Sequence, residues 1–443
     1  MPALNTDLYE LTMAAGYFVS GKANDIATFE LSIRRLPDRR NFLIAAGLQQ
    51  ALEYLCELRF ERDELDYLRS LKQFANAPPA FFDYLAKLHF EGDVFAVPEG
   101  TPVFAGEPLL IVRAPLIQAQ LVETYLLSTL AFQTTIASKA ARCVTAADGR
   151  AIVEFGSRRA HSPGAGPLAG RAAYLAGCSG TSNTEAGMRF GIPVFGTAAH
   201  SWTMSFADEE QSFRQLQKVL GEETVYLIDT YDTIEGARLA VRLGRPLWGV
   251  RLDSGDLAAL SREVRRILDE AGLKDTRIMA TNDLNEKRIS DLLAASAPID
   301  AFGVGTELAT SADAPALSAV YKMVELRAGE SHSYTAKYSP DKVTLPGAKQ
   351  IYRYADYDLL TLYNACDQEF QGEPLLRPVL AKGKRLERYP PLPDLRRRAA
   401  KAIAALPAEL LSLDRSAVYR VEISERLQSL AESLRTSRQM VAS

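Results

Sequence analysis

"LWGVRLDSGDLAALSREVRRILDEAGLKDTRIMATND" spans residues 247–283. It opens on an apolar run, Leu247 to Leu252, too short for a helix. Asp253, Ser254, Gly255 and Asp256 follow, a cluster that ends a strand and starts a helix. Apolar residues then recur at helical spacing until Gly272, a stop signal. A second run, Arg277 to Ala280, is closed by Thr281, Asn282 and Asp283. Two strands joined through a helix must pair in parallel, because a parallel pair needs a long crossover.

Working outward, the same rhythm recurs. "AIVEFG" (151–156), "IPVFGTAAH" (192–200), "TVYLIDTYD" (224–232) and "AFGVGTE" (301–307) are short and rich in Val, Ile and Phe. With the two runs above they predict successive βα units at intervals of roughly 25 to 40 residues. Near-continuous apolar strands alternating with amphipathic helices imply a parallel sheet covered by helices. The predicted class is α/β, an irregular parallel barrel more than an open sheet. "LNEKRISDLLAAS" (284–296) reads as another covering helix. The flanks differ. "ATFELSIRRLP" (27–37) is strand-like, "VFAVPEGTPVFAGEPLLIVRAP" (94–115) reads as a β-meander, and "AVYKMVEL" and "KQIYRYAD" are again β-like. From Asp394 the tail is helical. We divide the chain into an α/β segment 1–130, a barrel 131–321, and a segment 322–443 that ends in helices.

The 443 residues carry 51 basic and 55 acidic side chains, a net charge of -4, which argues against a dedicated nucleic-acid surface. A local basic pocket for a small anion stays open. Cys56, Cys143, Cys178 and Cys366 form no C-x-x-C pair, so zinc or dithiol chemistry is not expected. The start "MPALNTDLYE" has no basic-then-apolar leader pattern, and no run of about 18 apolar residues appears. The expectation is a soluble cytoplasmic protein with no membrane association.

In a parallel α/β barrel, ligand chemistry sits at the carboxyl ends of the strands. Here those ends carry Arg158 and Arg159; His200 and Ser201; Asp229 and Asp232; Arg251, Asp253 and Asp256; Thr281, Asn282 and Asp283; Gly303, Gly305 and Thr306. Each has a plain alternative. Asp256 and Asp283 suit helix N-caps, the arginines suit a solvated surface, His200 suits a satisfied core position, and the glycines suit turns. Six consecutive polar strand ends of mixed charge are hard to assign to capping alone. Arginines beside helix N-termini suit a phosphorylated or carboxylated small molecule. There is no G-x-x-x-x-G-K-[ST], and "GAGPLAG" (164–170) has the wrong spacing for G-x-G-x-x-G. None of the six runs contains a lysine, which sets a Schiff-base aldolase aside.

"NTDLYELTMAAGYF", "EFGSRRAHSP", "GTSN", "GTAAHSWTMSF", "LIDTYDT", "GVRLDSGDL", "ATNDLNE" and "FGVGTEL…VYK" occur in that order between Asn5 and Lys322. Together they resemble nicotinate phosphoribosyltransferases, with weaker similarity through "TLPGAKQIYR" (344–353). The resemblance implies a type II phosphoribosyltransferase-like barrel beside a second α/β domain built from the N-terminal and C-terminal segments. It implies a homodimer with active sites shared between subunits. The implied reaction joins nicotinate to phosphoribosyl pyrophosphate, giving nicotinate mononucleotide and pyrophosphate, with ATP as co-substrate and Mg²⁺ held through substrate phosphates.

The resemblance also assigns roles. His200 matches the family's phosphorylatable histidine, and Asp229 is the candidate for its orienting partner. Arg158, or its neighbour Arg159, matches the residue that meets the ring carboxylate. Tyr9 matches a ring-stacking aromatic and Arg34 a phosphate-binding arginine, both supplied by the other subunit. Arg251 and Asp253 match the ribose and phosphate pair, and Asn282, Gly303, Gly305 and Thr306 the 5′-phosphate end. Ser179 and Thr181 are expected at the substrate. An aspartate at Ser179 would favour the amide, so serine there favours the acid. The rival readings are a nicotinamide-using enzyme, a decarboxylating quinolinate enzyme and a catalytically silent barrel.

Overall fold

The computed structural model describes residues 3–337, 344–363 and 370–442. The chain divides into two compact units, Met1–Thr134 with Ala316–Pro391 and Lys401–Ser443, and Thr135–Pro315 with Leu392–Ala400. Of the cysteines, Cys56 is exposed and Cys143 and Cys178 are buried, all as free thiols, while Cys366 lies outside the described residues. Among the described residues no helix is long and apolar enough to cross a membrane.

In the first unit, the strand Ile26–Ile33 lies between Pro108–Pro115 and Ala319–Ala328, antiparallel to both. It belongs to a seven-stranded sheet that includes strands from both ends of the chain. Leu31, Leu110 and Ile111 have no exposed surface, and each such buried side chain contributes roughly 1.5–3 kcal/mol. Phe29 stacks on Tyr321 across the strand pair, 4.8 Å between ring centroids. A four-stranded sheet holds Lys349–Arg353, Tyr357–Leu362 and, in parallel with the latter, Arg420–Ile423.

The second unit is built on six parallel strands: β1 (Ala151–Glu154), β2 (Gly180–Thr181), β3 (Val225–Leu227), β4 (Gly249–Leu252), β5 (Arg277–Ala280) and β6 (Ala301–Val304). Their order across the sheet is β2-β1-β6-β5-β4-β3. The sequence-derived helix at 256–273 forms as Leu257–Glu270, capped by Asp256, whose carboxylate accepts from Ala258 and Ala259 N–H. Asp283 does not cap its helix. Asn285 does, accepting from Arg288 N–H.

Two expectations change. The run 192–200 is no strand; it contributes only a bridge from Val194 to Thr181. Pro193 and Gly196 deny it a regular ladder, and residues 197–199 are small. Its place is taken by β2, two residues long, inside "GCSGTSN". The ladder also does not close. β2 and β3 are edges with no pairing between them, so the described residues form an open parallel sheet with no closed barrel.

Candidate active site

Strand alternation builds the floor of the site. Side chains two apart share one face of a sheet. The parallel register aligns Arg251 with Met279, Met279 with Ala301, and Gly303 with Val153. One face therefore carries Val153, Met279 and Ala301 as a small buried apolar cluster, with Phe155 against it. One step toward the carboxyl ends, the same face presents Asp253, Thr281 and Gly303. Here lies a cleft of about 140 Å³ lined by residues from four strand ends, among them Arg158, Arg159, Arg251, Asp253, Asn282 and Thr306.

Arg251 is the centre of its bonding. Its Nε donates to Thr281 Oγ1 at 3.0 Å, Nη1 to Thr197 Oγ1 at 2.7 Å, and Nη2 to Asp253 Oδ1 at 2.9 Å. Thr281 also donates to Asp253. Burial raises the Asp253 carboxyl, but the Thr281 hydroxyl, the Arg251 guanidinium and His200 outweigh it and hold the group below the usual carboxylate range. Arg158 and Arg159 both line the cleft, both are exposed, and neither guanidinium has a partner among the described residues. Two unengaged guanidiniums beside an anchored one make a receptor for an anion.

The floor explains two local peculiarities. A Cβ on Gly303 would lie 2.7 Å from both Phe155 Cδ2 and Thr281 Cγ2, so only glycine fits. Asn282 and Asp283 both adopt positive φ, 86° and 48°, which is costly outside glycine. Arg288 Nη1 donates to both of their carbonyls, at 3.1 and 3.2 Å, and holds the turn.

His200 opens a short helix, His200–Met204, and adjoins the cleft through Asp253. Its Nε2 is 3.6 Å from Asp253 Oδ2 and 4.0 Å from Asp229 Oδ1. Its Nδ1 is 3.2 Å from the Thr230 hydroxyl. Asp229 is 1% exposed at its side chain. Its Oδ2 accepts from Asp253 N–H and Ser254 Oγ, while Oδ1 is buried without a hydrogen-bond partner. The expected His200–Asp229 pair is thus adjacent, just beyond hydrogen-bond reach.

Other expected residues fall elsewhere. Thr181 pairs with Glu154 in register and shares its face, opposite to Val153 and Phe155. Its hydroxyl is fully buried and donates to Glu154 Oε2 at 2.6 Å. Ser179, whose N–H bonds Ile152 O, is not among the residues that line the cleft. Tyr9 and Arg34 belong to the first unit. Tyr9 is 45% exposed. Burial, Glu123 and Glu10 push its phenol well up. Arg34 is half-buried, and its Nε has no hydrogen-bond partner.

Sequence reasoning passed over Thr230 and Glu154 as site-forming residues, and placed Thr281 at a strand end without assigning it a role. Glu154 is fully buried at the end of β1. It holds Thr181 and accepts from Gly156 N–H ahead of the two arginines. An acid inside the apolar run "AIVEFG" was its visible signal. Among the described residues no group of three or more His, Cys, Asp or Glu is arranged to hold a metal ion.

Three family models match consecutive parts of the chain: the nicotinate phosphoribosyltransferase N-terminal domain at residues 4–131, the nicotinate phosphoribosyltransferase family at 150–332, and the C-terminal domain at 363–431. Nicotinate phosphoribosyltransferase pncB2 of Mycobacterium tuberculosis is 44% identical over 435 residues, covering 96% of this chain and 92% of its own. The Bacillus subtilis nicotinate phosphoribosyltransferase is 37% identical, covering 96% and 93%. The crystal structure of human nicotinic acid phosphoribosyltransferase superposes with a TM-score of 0.84 at 30% identity, covering 97% of this chain and 99% of that one.

Proposed function

Because the chain belongs to the nicotinate phosphoribosyltransferase family, we propose that it transfers the phosphoribosyl group of phosphoribosyl pyrophosphate to nicotinate, in a step coupled to ATP through His200. The observation that carries this reading is the cleft itself. Arg158 and Arg159 stand unengaged on one side, and Arg251 is anchored on the other. A carboxylate and phosphates would each meet a guanidinium there.

The pyridine nitrogen attacks the anomeric carbon as pyrophosphate leaves. One C–N bond forms and one C–O bond breaks, with no proton to move. The residues therefore position the reactants and stabilise charge. Arg158 or Arg159 takes the ring carboxylate by a charge-assisted contact of roughly 1.5–3 kcal/mol. Arg251 and Asp253 meet the ribose and its phosphates. Gly303, Gly305 and Thr306 leave room for the 5′-phosphate, beside Asn282. Tyr9 stacks on the ring and Arg34 meets phosphate from a second copy of the chain, in a homodimer. When bound, Mg²⁺ would supply neutralising charge for the departing pyrophosphate. Asp253 and Asp283 are hard oxygen donors in the cleft and would be the residues to hold it.

For the ATP step, the surroundings of His200 favour one tautomer. Two carboxylates lie toward Nε2, and a hydroxyl lies at Nδ1. A proton on Nε2 faces Asp253 and Asp229, and the lone pair sits on Nδ1 with Thr230 donating to it. Nδ1 then takes the γ-phosphoryl group as the bond to ADP breaks, and the two carboxylates stabilise the charge on the ring.

Purified protein with Mg²⁺ and phosphoribosyl pyrophosphate is expected to form mononucleotide from nicotinate in preference to nicotinamide. Turnover of the amide alone would contradict the acid assignment.

A further inference from the structure

Lys139 lies on the long helix Glu123–Ala146, with its side chain 2% exposed. Its ammonium meets carboxylates from three segments: Glu286 Oε2 at 2.6 Å, Asp313 Oδ1 at 2.9 Å and Glu307 Oε2 at 3.6 Å. Arg142, one turn further along, donates from Nε to Glu286 Oε1 at 2.8 Å. Glu286 is the first residue of the helix Glu286–Ala294, directly after the Asn282–Asp283 turn and its Asn285 cap. Glu307 is the second residue of the short helix that Thr306 begins. Those two segments form the cleft wall at the ends of β5 and β6.

The cluster's electrostatics describe a clamp. Burial lowers the lysine, but Glu286, the neighbouring Cys143 and Asp313 outweigh it and raise it above its ordinary value. Burial likewise raises Glu286, and Lys139 and Arg142 pull it back below its usual range. The lysine's charge is met by its three carboxylates, so it adds little long-range attraction for an anion. What it supplies is geometry. One buried cation holds two cleft-forming turns, one of them conformationally strained, in a fixed relation to the helix beneath.

We propose that Lys139 is a positioning residue for the phosphate end of the cleft, acting through Glu286 and Glu307. The proposal rests on the phosphoribosyl-transfer reading for what that end binds. A lysine below the substrate-facing layer sets where Thr306 and Asn282 stand, and so sets affinity for the 5′-phosphate without touching it. Among the described residues, Arg158 and Arg159 at the ring end make no hydrogen bond or ion pair with Lys139 or Glu307.

The test compares wild type with Lys139→Met, Lys139→Arg and Glu307→Gln. The KM for phosphoribosyl pyrophosphate, the KM for nicotinate and Tm are measured, and ribose 5-phosphate binding is titrated calorimetrically. Lys139→Met and Glu307→Gln are expected to raise the KM for phosphoribosyl pyrophosphate and the dissociation constant of ribose 5-phosphate roughly ten- to hundredfold. The KM for nicotinate should stay within about twofold, and Lys139→Arg should restore most of the loss. Glu307→Gln keeps the test decisive if Lys139→Met does not fold. Unchanged ribose 5-phosphate binding in Glu307→Gln, or equal rises in both KM values, would overturn the proposal. Wild-type binding of ribose 5-phosphate without turnover would remove the reaction and leave the Lys139 claim to the titration. Absence of both would overturn the two together.

Discussion

The buried Oδ1 of Asp229 lies 4.0 Å from Nε2 of His200 and has no hydrogen-bond partner among the described residues. Leaving such an acceptor unmatched costs about 1–3 kcal/mol. An inward movement of the imidazole by about 1 Å would bring the pair within ordinary hydrogen-bond distance. Asp229 is itself fixed by Asp253 N–H and Ser254 Oγ, whereas the half-exposed imidazole is held, among the described residues, only by the Thr230 hydroxyl and Asp253.

Asp229→Asn is therefore expected to slow phosphorylation of His200 by roughly 10²-fold or more, because the ring loses one of the two carboxylates that fix its tautomer and balance its charge. The rate of acid-labile label uptake from γ-labelled ATP measures this. An unchanged rate would exclude Asp229 as the partner.

Arg251 donates to three separate side chains. A lysine amine is a single point that cannot span the same set. Arg251→Lys is expected to lower kcat/KM for phosphoribosyl pyrophosphate about 10²-fold. Activity within threefold of wild type would show that the network is not needed for the reaction.

Gly303→Ala would force its methyl into Phe155 and Thr281. The expected destabilisation is about 1–3 kcal/mol, read from urea unfolding. A raised KM for phosphoribosyl pyrophosphate should accompany it, because Thr281 carries Arg251 and Asp253. A variant as stable as wild type would contradict the close packing of this floor.

Glu10 is fully buried beside Tyr9, accepting from Thr124 N–H at 3.0 Å and from the Thr124 and Thr6 hydroxyls. Burial outweighs these bonds and raises its carboxyl from 4.5 to about 7. The folded state thus binds a proton more tightly than the unfolded chain does. Its contribution is fully present below pH 4.5 and is lost as pH rises through about 7. Relative to Glu10→Gln, wild-type Tm is expected to fall across that interval. Parallel Tm curves for the two proteins would contradict the raised value.

Much of the second unit was legible because its strands announce themselves. Val225–Leu227, Gly249–Leu252, Arg277–Ala280 and Ala301–Val304 each sit inside an apolar run with a polar end. The run at 192–200 misled because apolar composition does not reveal whether a neighbour offers a ladder. β2 was missed because two small residues carry no periodic signal. The same gap hid the pleat, and with it the fact that Thr181 turns to Glu154 rather than to the cleft. Arg158, Arg159, Arg251, Asp253, Asn282, Gly303, Gly305 and Thr306 all line one cleft because strand ends converge by construction. Lys139 left no trace in the sequence. Its partners lie far along the chain, and a lysine on a helix ordinarily reads as a solvated charge.

The central claim is tested most directly by following nicotinate mononucleotide formed from nicotinate and phosphoribosyl pyrophosphate, with and without ATP, by wild type and His200→Ala. The account predicts product from the wild type that ATP accelerates, and slower product from the variant that ATP does not change. No mononucleotide from the wild type under either condition would contradict the assignment, and full ATP stimulation in the variant would contradict the role of His200.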